Sequence, residues 1–267
     1  MFLLAFPLIL LAFLGAGAWL LRSLRVETSD VLEETWLAGV LGLLLVGTLA
    51  TAVGLLGFYT HTGLWLVVAA AILPTFRLWR PLFVGGPWQE QWQELAAAGP
   101  LYPALVALLG LFLAFYAFLS LAPNVAWDTM AHHFLVPWMY LREGAIYDLP
   151  QVQFSYFPSL LQVTYGLGMG TGGEPAANLL GWWWSAWLLV GILVIGRNLW
   201  GWEAGVIGAL VMASMEFYGT QLRGGWADAG IALFVLLGGY GPLRWRRTRE
   251  PGWLYIGALA MGGALAA

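Results

Sequence analysis

The chain contains no cysteine, which excludes disulfides and thiol chemistry. It contains no lysine either, so all 11 basic residues are arginines. Charge of any kind is scarce: 9% of the 267 residues are charged, 61% are hydrophobic, and the mean hydropathy is +0.78. A water-soluble fold of this length needs more charge than that, so the composition reads as a polytopic membrane protein. The net charge of −3 is too small to imply nucleic acid or an acidic partner. The first twenty residues lack a basic leader and a small-residue cleavage site, and they read as a span, not a signal peptide. No solenoid-type repeat, DxD pair or HExxH element occurs.

Apolar runs and tryptophans are abundant. Runs able to span cover 2–21, 36–59, 62–79, 101–122, 176–196, 203–221 and 226–243, each near the roughly 20 residues a crossing helix needs. Lipid satisfies no backbone donor or acceptor, so all must be helical. Pro74 and Arg77 shorten the third. A last run, 253–267, is too short to cross comfortably, and the sequence therefore reads as part of something longer. Several of the 17 tryptophans lie near run ends, where rings anchor at headgroup level.

The stretch Ser159–Gly170, SLLQVTYGLGMG, could be taken for another span. Twelve residues before the breaker TGGEP suit an interfacial or re-entrant segment better. Arginine placement decides between the two. Without a crossing there, Arg22, Arg25, Arg77, Arg80, Arg197, Arg244, Arg246, Arg247 and Arg249 share one side, and only Arg142 and Arg223 lie opposite. The positive-inside rule makes the first side cytoplasmic. The loop around Asp128 and the turn Arg223–Asp228 then both open on the outer face.

That loop, Ala126 to Pro158, is the longest stretch between strong apolar runs and holds Asp128, His132, His133, Arg142, Glu143 and Asp148. Loops of this length among short turns usually carry function. Read as a helix, 127–142 sets Trp127, Met130, Phe134 and Leu141 on one stripe and Asp128, His132 and Leu135 on another. This gives an interfacial amphipathic helix broken at Pro137. Asp128 and His132 at i,i+4 can pair, although an N-cap role for Asp128 and a solvated His132 account for the pattern equally simply. Adjacent His132 and His133 point about 100° apart on a helix, which disfavours one shared ion. Asp228 opens a later apolar run, where a carboxylate is either a cap or functional. Arg223 suits a phosphate diester or snorkels to headgroups. Glu216, seven residues before Arg223, lies on a similar helical face and could line the same cavity. Glu143 and Asp148 read as solvated loop charges. TGGEP lacks the strand–helix context of a phosphate loop.

In order, the chain shows a span, an Asp just after it, an interfacial helix ending near LREG, then YDLP and YFPSLLQVTYGLGMG. GGEPAANLLGWWWSAWLLVGILVIGRNLWGWEAGVIGAL follows, and ADAGIALF comes later. Over about residues 100–245 this resembles the GT-C membrane glycosyltransferases, particularly the branch with protein O-mannosyltransferases and the lipid A aminoarabinose transferase. The resemblance implies an all-α polytopic transmembrane bundle with juxtamembrane helices in a long outer loop. Residues 1–98 would supply three extra N-terminal helices, and 99–267 a GT-C-like core truncated at its C-terminus. It implies inverting transfer of a sugar from a polyprenyl-phosphate donor to an acceptor hydroxyl or amine, in a multi-pass plasma or inner membrane. Asp128 matches the first-loop acid and would be the general base. Arg223 and Arg142 would stabilise the departing phosphate, while Asp228, His132, Glu216 and Tyr156 would contact substrate. A divalent metal ion at Asp128 and Asp228 is compatible with the resemblance, and no other cofactor is expected. Relatives often carry Lys-Pro-Pro where this chain has Tyr156-Phe157-Pro158, so a lysine contact to the donor is missing. A transporter using Glu216 and Asp228, or a lipid-binding subunit without catalysis, would fit the same composition.

Overall fold

The computed structural model describes residues 2–73 and 85–267; Pro74, Arg77 and Arg80 lie outside them. Every regular element among the described residues is helical. Four helices are long and apolar enough to cross a membrane, by length and composition: α1 (Phe2–Ser23), α2 (Val31–Leu55), α5 (Leu101–Leu119) and α8 (Glu174–Trp200). They point to a membrane protein. The others are α3 (His61–Ile72), α4 (Gly85–Ala98), α6 (Leu135–Glu143), α7 (Leu160–Gly172), α9 (Trp202–Ala213), α10 (Glu216–Gln221), α11 (Asp228–Thr248) and α12 (Gly252–Ala266).

α2 starts five residues before its apolar run because Asp30 caps it, accepting from the amides of Leu32 at 2.8 Å and Glu33 at 3.0 Å. α1 and α2 are antiparallel and touch backbone to backbone. A Cβ at Gly17 would overlap the Ala38 carbonyl, and one at Gly42 the Phe13 carbonyl. Small residues permit this approach, which lipid-embedded helices use in place of a hydrophobic driving force.

The bundle has two chemically different ends. At one, here the arginine end, Arg197 at the foot of α8 pairs with Asp30, and Arg244 of α11 lies 3.3 Å from Glu33. Arg22, Arg25 and Arg246–Arg249 sit on the same end, where the backbone amide of Glu27 donates to the Glu250 carboxylate at 3.4 Å. At the other, here the site end, the amide of Ile146 donates to Gly54 at 2.9 Å.

α7 does not run from one end to the other. It begins against Gly47 of α2, whose added Cβ would stand 2.9 Å from Leu160 and Thr164 atoms, and it finishes against Ala5 and Phe2 of α1. Since α1 and α2 are antiparallel, both its finish and Ile146 belong to the site end. α1, α2 and α3 all pack on α7, so the N-terminal helices wall this short helix.

Two expected elements are divided differently. The run 203–221 is not one helix: α9 stops at Ala213, and α10 starts at Glu216 after Met215 takes extended backbone. The loop helix is not broken at Pro137, which sits in the first turn of α6, where its missing N–H costs no bond. The break comes earlier, in a π-helical turn at Thr129–His133 closed by the Phe134 amide on the Thr129 carbonyl at 2.8 Å. The expected apolar stripe fails with it, since Phe134 is buried while Trp127 and Met130 are exposed.

Candidate functional site

The π turn brings one carboxylate and two imidazoles together. An i→i+5 winding widens the helix so that the residues at both i+4 and i+5 lie over residue i. His132 Nδ1 is thus 3.3 Å from Asp128 Oδ1, and His133 Nε2 is 3.5 Å from Oδ2. Ordinary α-helical winding had separated the two histidines; the π turn corrects that expectation. Asp128 makes no capping hydrogen bond, so the simple N-cap role does not apply to it.

Both imidazoles are buried, and their rings lie 3.9 Å apart. Burial lowers the pKa of His132, partly offset by Asp128. Burial first, then the His132 charge, takes that of His133 down to about 4. Near neutral pH both rings are therefore uncharged, and their nitrogens are available as acceptors or ligands. Phe154 covers His132 with centroids 4.9 Å apart and meets Trp127 edge-on. Below, buried Gln162 of α7 places Nε2 3.2 Å from His133 Nδ1.

The second aspartate is held by a clamped loop. Asn124 anchors it: its backbone amide donates to Glu174 Oε1 at 2.9 Å, and its carboxamide donates to the Gly224 carbonyl at 3.0 Å. Thr129 Oγ1, in the π turn itself, donates to the Gly225 carbonyl at 2.9 Å. The Tyr165 hydroxyl and the Trp184 indole both donate to the Trp226 carbonyl, at 2.7 and 3.2 Å. Gly224 and Gly225 have φ of +81° and +82°, a region that L side chains avoid. A Cβ at Gly225 would also collide with the Asn124 carboxamide. Asp228 follows as the first residue of α11, accepting at Oδ2 from Gln221 Nε2 at 3.1 Å. Asp228 is exposed, and its charge and that of Asp128 both act on His133.

Two cavities lie near the turn, and neither is lined by Asp128 or Asp228. One, of about 500 Å³, is lined by Met130, Phe134, Leu135, Trp138, Leu141 and Met169, with Arg142 and Glu174 at its polar part. Arg142 lies over the Trp138 ring at 5.7 Å. The other, of about 260 Å³, runs along Leu119 and Ala122–Ala126 to Thr220, Arg223 and Trp226. The two arginines therefore line separate cavities. Glu216 is exposed at the start of α10 and lines neither of them. Tyr156 is exposed, and its hydroxyl bonds Asp148, which raises its pKa.

The residues that fit a metal ion are Asp128, His132 and His133, whose ligand atoms lie within 4.8 Å of one another. Asp228 is outside that group and engaged by Gln221. Glu174, in the TGGEP segment that carried no expected role, proves to be an anchor of the clamp. Asn124, Gln162 and Gln221 were also overlooked, as was Asn178, which accepts from the Asn124 carboxamide and donates to the Ala122 carbonyl, both at 3.4 Å. For Gln162, Asn178 and Gln221 a signal was available: an amide side chain in an apolar run is costly unless bonded. Comparison with protein-family models, curated proteins and solved structures found no match for this chain.

Proposed function

We propose that the chain is the membrane core of a glycosyltransferase that moves a sugar from a polyprenyl-phosphate donor to a hydroxyl or amine acceptor, at the outer face and with inversion. The observation that carries the reading is the setting of Asp128: a partly exposed carboxylate next to a turn whose Met130 lines one arginine-bearing cavity, with a second such cavity along Ala122–Ala126 just before it, as a two-substrate reaction needs. The larger, mostly apolar cavity suits an isoprenoid chain, with Arg142 meeting its phosphate. Asp128 takes a proton from the acceptor as the acceptor oxygen or nitrogen bonds to the anomeric carbon and the sugar–phosphate bond breaks. The electron pair leaves with polyprenyl phosphate, whose charge the guanidinium stabilises. Asp228, fixed by Gln221, positions sugar hydroxyls. The closeness of Asp228 to His133 supports counting both acids in one site.

The test is transfer by the full-length protein in detergent or nanodiscs, with polyprenyl-phosphate sugars as donors. Asp128→Asn keeps the shape of the side chain and removes its ability to accept a proton. Insertion and yield should be normal and turnover should fall by roughly a hundredfold or more. Near-wild-type transfer would sink this mechanism.

A second reading has one observation of its own. The short α7 and the break between α9 and α10 are discontinuous helices of the kind that form transporter sites. Substrate accumulation in proteoliposomes without any transfer product would favour it.

A further inference from the structure

We propose that Asp128, His132 and His133 form a binding site for a divalent transition ion of the zinc class. The spacing is the first argument. Ligand atoms about 2.0–2.1 Å from a tetrahedral ion stand about 3.3 Å from one another; His132 Nδ1 is 3.3 Å from Asp128 Oδ1, His133 Nε2 is 3.5 Å from Oδ2, and one ligand atom from each of the three residues lies within 4.8 Å of the others, so a small side-chain rotation of the partly exposed Asp128 closes the set. These contacts are poor as hydrogen bonds: the second is long, and His132 Nδ1, buried, has no hydrogen-bond partner. A buried imidazole nitrogen aimed at a carboxylate without bonding it is costly, and an ion between them would satisfy both.

The donor set is the second argument. Two imidazole nitrogens and one carboxylate oxygen suit zinc and its neighbours, whereas magnesium and calcium prefer oxygen throughout. Gln162 supplies the third. Metal-bound histidines are usually oriented by a hydrogen bond at the other ring nitrogen, and Gln162 stands at His133 Nδ1 with its own Oε1 buried and unpartnered. Amide direction is assigned from hydrogen bonding. Turned end for end, the carboxamide accepts from Nδ1–H, and the Nε2 lone pair faces Asp128. Gln162 is then a positioning residue and the other three are ligands. The ion would draw the three side chains together and supply a Lewis acid there. It engages Asp128, the base of the transferase reading, so the two proposals share that residue; they fail separately, because this one is read by binding and that one by turnover.

The experiment is Co²⁺ titration of the full-length protein, purified in detergent and stripped with a chelator. Wild type should take up a single equivalent with visible d–d absorption, displaced by Zn²⁺. His132→Gln and Asp128→Asn should weaken binding more than a hundredfold, and Gln162→Leu about tenfold. His61→Gln should bind as wild type, since the His61 ring contacts the Gly170 carbonyl outside this group. Absence of a saturable wild-type site overturns the proposal, and so does wild-type affinity in the ligand variants. Should those variants fail to insert, pulsed EPR of Cu²⁺-loaded His61→Gln counts the bound imidazoles; two support the site, and none or one overturns it.

Discussion

The two ends of the bundle both bury charge, and they do so in opposite ways. At the arginine end the buried charges are paired with one another, although Arg244 Nε, 3.3 Å from Glu33, makes no hydrogen bond. Glu33, fully buried, accepts from the Tyr240 hydroxyl, from Asn198 Nδ2 at 3.1 Å, from the Ser29 amide at 2.6 Å and from Arg244 at 3.3 Å. Arg197 is shared among Asp30, Gln91 and Asn198 and lies over the Trp202 ring at 5.0 Å. At the site end Asp128 stays partly exposed, its imidazole neighbours are uncharged, and two buried polar atoms, His132 Nδ1 and Gln162 Oε1, have no partner. The arginine-end network holds helices together through charge pairs already made. At the site end a neutral, unbonded imidazole faces a carboxylate that is still partly exposed, so the distinction lies in what the charged groups are already paired with and not in how many are present.

The largest effect should follow from breaking the arginine end. Glu33→Ala leaves Arg244 and the Tyr240 hydroxyl unanswered in a closed interior. Removing one partner of a buried ion pair typically costs about 3–5 kcal/mol, enough to abolish a folded yield or to lower the thermal transition steeply. Asp128→Asn should change the same melting curve little. Equal destabilisation by both would erase the contrast between the ends.

The clamp comes next. Gly225→Ala forces a side chain into positive φ, at about 1–3 kcal/mol, and drives its Cβ into Asn124 and Thr129. Stability should fall by that modest amount, while transfer, which needs the π turn and Asp228 in register, should fall much further. Thermal shift and turnover measured on one preparation separate the two. A loss of stability with unimpaired transfer would mean that the loop is only packing.

The contrast also explains what could be read from residue order. The arginine end was legible because charge asymmetry is a property of composition along the chain, and Arg197, Arg244 and their neighbours needed no geometry to be grouped. The same count is what sets Ser159–Gly170 apart as a segment expected not to cross, and the structure forms it as the thirteen-residue helix α7. Asp128 and Asp228 were legible as isolated acids in an apolar sequence. The arrangement around them was not, because it depends on a π turn that has no local signature and that reverses the relation between His132 and His133. Gln162, Asn124 and Glu174 act across separations of 29 to 100 residues, and one sequence cannot reveal such partners. Glu33 was passed over for the opposite reason: it looks like an ordinary first-turn acid beside Asp30, and its burial against α11 is tertiary.

The smallest effect sharpens the contrast within the site end itself, between its two arginines. Both are exposed, so neither should matter much to folding. Arg142 stands at the cavity of about 500 Å³ with an apolar wall, and Arg223 at the one of about 260 Å³ beside the Asn124 anchor. On the transferase reading, the polyprenyl chain of the donor takes the former. Loss of one solvent-accessible guanidinium–phosphate contact is worth about 1.4 kcal/mol, or about tenfold in affinity. Arg142→Ala should therefore raise the donor KM about tenfold with little change for acceptor. Arg223→Ala should act on acceptor use and leave the donor KM near wild type. Arg142→Lys should recover only part, because an ammonium offers a point charge where the guanidinium offers a planar fork. If Arg223→Ala raises the donor KM and Arg142→Ala does not, the donor belongs in the smaller cavity and the assignment of the two pockets is reversed.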